Sequence, residues 1–106
     1  MSDTPPTGQP NAQEADGHLI RDLQIVNKKG LHARASAKFV QCVERFESQV
    51  TVTRANETVG GNSIMGLMML AAAPGTTIRV TAKGKDAAQA MDAIAELVSG
   101  RFGEDE

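Results

Sequence analysis

The chain has 106 residues, which suits one small domain and excludes two full ones. Its single cysteine, Cys42, excludes an internal disulfide, and three phenylalanines without tryptophan or tyrosine argue against a base-stacking nucleic-acid surface. The formal charge of −2 hides an asymmetry: all 11 basic residues but only seven of the 13 acids lie within residues 18–103, which therefore carry about +4. This mildly basic body suits either a solvated surface or an anionic partner.

Residues 1–17 hold three of the four prolines and almost no apolar side chains, so a disordered tail is predicted there. The first 20 residues contain no Lys or Arg and do not resemble a secretory signal. The longest apolar run, residues 64–73, is about half the length that a membrane-spanning helix needs. We therefore expect a cytoplasmic protein with no membrane insertion.

Alternating and helical patterns predict four strands and three helices in the order β-α-β-β-α-β-α. The strands are predicted at residues 19–26, 49–54, 57–59 and 76–82, and the helices at 33–46, 64–72 and 87–99. Asn62 or Ser63 is expected to cap the second helix and Asp86 the third. One apolar stripe per helix, with strands that are polar on one side, predicts an α+β open-faced β-sandwich. In this fold three helices cover one face of a four-stranded antiparallel sheet. The expected domain spans residues 18–103, followed by an acidic tail at 104–106.

His32 and Arg34 stand where the first helix begins. The free N–H groups and dipole of a helix N-terminus favour an anion and disfavour protonation of an imidazole, which leaves a nucleophilic ring nitrogen. Arg34 could then hold a phosphate. The alternative, favoured on spacing alone, is a histidine cap beside a surface arginine. A third possibility is a small enzyme with His32 as general base, for which Ser36 is the one nearby candidate partner.

A second motif, GGNSIM at residues 60–65, combines two glycines with a serine before an apolar helix. It lacks the lysine of a nucleotide-binding P-loop, so a helix cap is the simpler interpretation. Phosphorylation of Ser63 would place about two negative charges beside methionines and could act as a switch. The short helix cannot bury all of its apolar side chains, so part of it is expected to form a docking surface.

The remaining candidates for chemistry are weak. His18 borders the tail, and Cys42 lies inside a predicted helix, where burial would keep it a thiol. One cysteine and two distant histidines do not make a zinc site, and no metal or cofactor is expected.

The runs GLHAR at residues 30–34 and SIMGLM at residues 63–68 together resemble HPr, the phosphocarrier of the bacterial phosphoenolpyruvate-dependent phosphotransferase system. The resemblance covers roughly residues 18–103. It implies that His32 accepts a phosphoryl group on Nδ1 from enzyme I and passes it to an EIIA-type protein, and that Arg34 steadies the phosphate. It further implies that HPr kinase/phosphorylase modifies Ser63, and that Ile64, Met65 and Met68 contact partners while Leu67 and Leu70 are buried.

Two positions depart from the family pattern. Ala35 replaces the proline that usually follows the motif arginine, so a slightly looser loop with retained chemistry is expected. Asn62 replaces the lysine that often precedes the modified serine, which weakens the kinase interpretation. The C-terminal residues 99–106 resemble the nitrogen-related branch of the family. Two roles therefore stay open: a carrier that relays phosphoryl groups, and a mainly regulatory binding module controlled at Ser63 without sugar transport.

Overall fold

The computed structural model describes residues 13–15 and 18–104. A sheet and three helices account for most of this region, and every predicted element is present. The strands are β1 (Gln13–Ala15), β2 (His18–Gln24), β3 (Gln49–Arg54), β4 (Glu57–Gly60) and β5 (Thr77–Lys83). The helices are α1 (Ala33–Val43), α2 (Ile64–Met69), α3 (Ala87–Ser99) and a C-terminal 3₁₀ turn (Arg101–Gly103).

The sheet is antiparallel throughout and has the strand order β1-β2-β5-β3-β4. Four of these strands form the open sheet that was predicted, and the β-α-β-β-α-β-α order is confirmed. The fifth, β1, falls within the segment predicted as a disordered tail. It pairs from Gln13 opposite Ile20 to Ala15 opposite His18. The rest of that predicted tail, and residues 105–106 of the acidic tail, lie outside the described residues.

The core lies between the sheet and the three helices. Val50 and Val52 of β3 and Ile78, Val80 and Ala82 of β5 are buried at alternate positions, as the period of two requires. The intervening threonines and Arg79 face the uncovered side. α3 contributes the stripe that its sequence pattern predicted, with the buried residues Ala87, Ala90, Met91, Ile94 and Val98.

The helix ends show two differences from the sequence predictions. α1 ends at Val43 rather than reaching Phe46, which packs at the margin of the core. Asp86 occupies the N-cap position of α3 but makes no side-chain cap bond. Its carboxylate instead accepts hydrogen bonds from the Glu47 N–H and the Ser48 hydroxyl, so it ties the start of α3 to the loop before β3.

Candidate functional site

α1 begins at His32, which is its N-cap residue as predicted. The backbone of His32 is extended, and its carbonyl accepts the first helical hydrogen bond from the Ser36 N–H at 2.8 Å. The N–H groups of residues 33–35 therefore have no partner within the helix. The first turn carries no acidic residue, so the positive end of the helix dipole is not offset from within α1.

The loop before His32 is fixed against the end of α2. Gly30 has a φ of +66°, and a Cβ at this position would clash with the Ala72 carbonyl oxygen. The N–H of Leu31 donates to that same oxygen at 3.0 Å. Ala35, at the position where the resembled pattern usually has proline, is fully buried in the core, so the first turn of α1 is anchored without a proline.

The His32 imidazole contacts a carboxylate that lies 72 residues further along the chain. Its Nε2 is 2.7 Å from Oε2 of Glu104, and the two side chains are 28% and 17% exposed. This hydrogen bond is the largest influence on the pKa of Glu104 and lowers it below its usual range, with the Asn27 amide and the Lys29 charge adding to the effect. An ionised carboxylate only accepts hydrogen bonds, so Nε2 carries the proton and donates.

Two of the alternatives for His32 do not match its contacts. The imidazole makes no cap bond to the backbone, so it is not simply a histidine cap. Glu104, assigned to an acidic tail, is its partner, whereas Ser36 is buried and donates its hydroxyl to the Leu31 carbonyl instead. With Nε2 as the donor, the lone pair of a neutral ring lies on Nδ1.

The other carboxylate oxygen of Glu104 is also held. Oε1 accepts from the Nδ2 of Asn27 at 3.1 Å, and the same amide nitrogen donates to the Gly30 carbonyl at 2.9 Å. Asn27 is fully buried. The turn before the helix and the C-terminal end of the chain are thus joined at His32.

Arg34 lies on the exposed side of the first turn of α1. Its guanidinium makes no hydrogen bond or ion pair with another described residue, so its donors remain available to a ligand. It borders a surface cavity of about 650 Å³. The cavity is lined by Lys28, Lys29, His32, Ala33, Arg34, Lys38, Gly103 and Glu104. Four cationic side chains line the cavity around the imidazole, whose Nε2 contacts Glu104. This surplus of positive charge favours binding of an anion in the cavity.

Ser63 lies outside this cavity, at the far end of α2 from the Ala72 contact. It is the N-cap of α2, and its Oγ accepts from the Gly66 N–H at 2.9 Å, which confirms the predicted cap. Ile64, Met65 and Met68 are 40%, 70% and 40% exposed, and Met69 is 66% exposed. Leu67 and Leu70 are buried, as expected from the resemblance. α2 therefore has one face in the core and an apolar face in solvent.

The other candidates take no part in this arrangement. Cys42 is buried, and desolvation raises the pKa of its thiol. Within residues 13–15 and 18–104, no three His, Cys, Asp or Glu side chains group closely enough to hold a metal. No helix in this part of the chain is long and apolar enough to cross a membrane.

Sequence reasoning missed Glu104 and Asn27. No short-range spacing predicts their contact with His32, because it depends on where the last turn of the chain packs. One local signal was present: Phe102 is an isolated large apolar residue among polar C-terminal residues, and it is fully buried.

The chain is similar to known proteins in both sequence and fold. Residues 20–100 match the protein-family model described as PTS HPr component phosphorylation site. The chain is 53% identical over 88 residues to the phosphocarrier protein HPr of Neisseria meningitidis, a match that covers 83% of this chain and 99% of that protein. It is 40% identical to the phosphocarrier protein NPr of Shewanella violacea, over 81% of this chain and 94% of that protein. The crystal structure of HPr from Thermoanaerobacter tengcongensis superposes with a TM-score of 0.78 at 39% identity, covering 82% of this chain and 98% of that one. The chain belongs to the HPr family of phosphocarrier proteins of the phosphotransferase system.

Proposed function

We propose that this protein is a cytoplasmic phosphocarrier that receives a phosphoryl group from phospho-enzyme I on Nδ1 of His32 and passes it to an EIIA-type protein. The observation that carries the proposal is the hydrogen bond from Nε2 to Glu104, which leaves Nδ1 as the ring nitrogen with a lone pair. His32 is still 28% exposed, so a large protein donor can approach it.

The surroundings of His32 suit a transferred phosphoryl group. The N–H groups of residues 33–35 have no helical partner, and a phosphate beside them would also gain from the dipole of the eleven-residue helix α1. Arg34 can add a charge-assisted, bidentate contact. Phosphoryl transfer depends mainly on position and electrostatics, and both are available here without a metal ligand from this chain.

The exposed face of α2 is the proposed contact surface for the two partners. Met65 and Met68 present unbranched, flexible side chains that can adapt to different surfaces, and Ile64 adds further exposed apolar area. One carrier must fit both a donor and an acceptor in turn, so an adaptable apolar surface suits this role. Truncation of Met65 to alanine is expected to weaken association with both partners.

Labelling with phosphoenolpyruvate and enzyme I tests the proposal. The wild-type protein is expected to acquire one phosphate that is labile in acid and stable in base, as a phosphohistidine is. His32→Ala should acquire none. His18→Ala is the matched control, because it removes the other histidine of the chain and should label normally. Equal labelling of wild type and His32→Ala would reject the proposal.

Regulation at Ser63 is a second proposal, and the position of Ser63 as a half-buried N-cap supports it. A phosphate on its Oγ would lie at the start of α2, beside the apolar surface of Ile64 and Met65, and would hinder docking there. An active HPr kinase/phosphorylase with ATP should give an acid-stable phosphoserine that is absent from Ser63→Ala. If an active kinase leaves Ser63 unmodified, the proposal of regulation at Ser63 fails, and Asn62→Lys tests whether Asn62 is the reason.

A further inference from the structure

Glu104 lies against the imidazole that is proposed to carry the phosphoryl group, and it stands outside residues 20–100, the part of the chain that matches the family model. We infer that Glu104 is a positioning residue: its carboxylate holds the hydrogen on Nε2 of His32 and keeps Nδ1 free for phosphoryl transfer. The inference rests on the proposed function of His32. It adds that Glu104, 72 residues further along the chain, sets which nitrogen of the imidazole carries the hydrogen.

The geometry of the pair supports a single ring orientation. The 2.7 Å separation between Nε2 and Oε2 is that of a charge-assisted hydrogen bond. Glu104 is only 17% exposed, so water competes weakly for its oxygens. A histidine tautomer is set by the hydrogen bond that one ring nitrogen makes, and here that bond occupies Nε2.

The C-terminal end of the chain is anchored in a way that fixes this carboxylate. Phe102 is fully buried against the core, and its carbonyl accepts from Nζ of Lys38 at 2.7 Å. Arg101 and Phe102 both adopt the left-handed conformation, with φ of 60° and 56°, which non-glycine residues avoid unless surrounding contacts impose it. These contacts turn the chain back so that Glu104 reaches His32.

Asn27 completes the arrangement from the opposite side. Its buried amide binds the second carboxylate oxygen of Glu104 and the Gly30 carbonyl with one nitrogen. Both oxygens of Glu104 are therefore engaged, one by the carrier histidine and one by the turn that precedes it. A carboxylate held at two points can position a ring, whereas a mobile surface glutamate cannot.

The proposed step requires no proton transfer at His32. The Nδ1 lone pair forms the N–P bond while the bond between phosphorus and the donor's leaving atom breaks, and that electron pair stays with the donor. The ring becomes an imidazolium that retains its hydrogen on Nε2, and the Glu104 carboxylate stabilises the new positive charge. When an acceptor nucleophile attacks phosphorus, the N–P electron pair returns to Nδ1. Because the ring keeps its hydrogen on Nε2, it leaves as neutral imidazole rather than as imidazolate, so Glu104 favours transfer as well as capture.

The test compares Glu104→Ala and Glu104→Gln with the matched control Glu44→Gln. Glu44 is an exposed carboxylate about 18 Å away at the other end of α1, and its substitution changes net charge by the same amount. NMR of protein labelled with ¹⁵N-histidine reports which ring nitrogen carries hydrogen, and quenched-flow labelling reports transfer from phospho-enzyme I and to the acceptor. We expect a hydrogen-bonded Nε2–H signal in wild type and Glu44→Gln that is lost in Glu104→Ala. Transfer should slow about ten-fold in Glu104→Ala, with an intermediate value for Glu104→Gln.

The results separate this inference from the proposed function. If wild type and all variants show the same Nε2–H signal and transfer rates, Glu104 does not position His32 and the inference is overturned. A changed ring signal with unchanged transfer rates also overturns the role in transfer. If wild-type protein takes no phosphate on His32, the proposed function fails, while the NMR measurement on unphosphorylated protein still decides whether Glu104 holds the ring. Unchanged backbone amide spectra of the variants would exclude unfolding as the cause of a lost Nε2–H signal or of slower transfer.

Discussion

The Arg34 side chain is exposed, and it makes no hydrogen bond or ion pair with the other described residues. A side chain in this state adds little to stability, and its N–H donors are available to a ligand. The proposed ligand is the phosphoryl group on His32, which a guanidinium can hold with two parallel hydrogen bonds.

Substitution of Arg34 should therefore separate function from stability. We expect Arg34→Ala to slow phosphoryl transfer about a hundred-fold, as for loss of one preorganised hydrogen-bond donor. Arg34→Lys should have an intermediate rate, because lysine keeps the positive charge but cannot form two parallel hydrogen bonds to the phosphate. The free energy of unfolding should change by less than about 0.5 kcal/mol. Rapid-quench labelling and urea denaturation measure the two effects. A large loss of stability would contradict the interpretation of Arg34 as a ligand-binding side chain.

Asp86 makes the opposite kind of contribution, to structure rather than to transfer. The Ser48 hydroxyl and the Glu47 N–H both donate to its carboxylate and lower its pKa below the ordinary value of 3.8. A lowered folded-state pKa gives stability that is fully present above the unfolded value. That stability is lost as pH falls from about 3.8 through the folded value.

Asp86→Asn is accordingly expected to be less stable than wild type at pH 7. The difference should shrink as pH falls from about 4 towards the lowered folded-state pKa, because Asp86 of the wild-type protein is protonated first in the unfolded state and then in the folded state. Urea denaturation at several pH values measures this. Asp92→Asn, which changes an exposed carboxylate of α3, is the control and should show a smaller dependence. A constant difference between Asp86→Asn and wild type across pH 3–7 would contradict the assignment.

At the scale of elements, α2 has two faces with different tasks. Leu67 is fully buried in the core, whereas Met65 is 70% exposed on the same six-residue helix. Burial of a leucine removes its whole side chain from water, and its truncation leaves a cavity. An exposed methionine contributes to packing only when a partner covers it.

These two faces predict opposite effects of truncation. Leu67→Ala should lower the free energy of unfolding by about 2–5 kcal/mol. Met65→Ala should change it by less than about 0.5 kcal/mol but weaken binding to enzyme I and the acceptor. Urea denaturation and isothermal titration calorimetry measure the two quantities. If Met65→Ala binds both partners with wild-type affinity, the exposed face of α2 is not the contact surface.

Local patterns were sufficient to predict most of these elements, because each depends on neighbouring residues. The alternation in β3 and β5 and the stripe of α3 fixed their buried faces, and Ser63 was recognised as a cap from its position before an apolar run. Helix boundaries such as Val43 were less accurate, since the final turn depends on packing.

Contacts between distant segments were not predictable in the same way. Glu104 meets His32 because buried Phe102 turns the chain back. Asp86 stays at the N-cap position but makes no cap bond, because its carboxylate accepts from residues 47 and 48 instead. The strand at Gln13–Ala15 pairs through backbone groups that any sequence supplies, so composition gave no sign of it. In each case tertiary packing, rather than local preference, decides the outcome.

At the scale of the whole molecule, charge is distributed unevenly. Residues 18–103 carry a formal charge of about +4, and four of the 11 basic side chains line the cavity at His32. A cluster of this kind attracts an acidic partner surface over several ångströms and raises the rate of encounter. The attraction weakens with ionic strength, because the screening length falls from about 10 Å at 0.1 M salt to about 3 Å at 1 M.

The association rate with phospho-enzyme I should therefore depend on both salt and the position of each charge. We expect it to fall about ten-fold between low and high ionic strength. Lys29→Glu, at the cavity, should lower the rate and flatten its dependence on salt. Lys83→Glu is the matched control, because this exposed lysine lies about 20 Å along β5 from Thr77, the end of the strand nearest the His32 loop. Stopped-flow measurements across a salt series give these rates. Equal slopes for Lys29→Glu and Lys83→Glu would mean that net charge, and not the basic cluster at His32, guides the partner to the site.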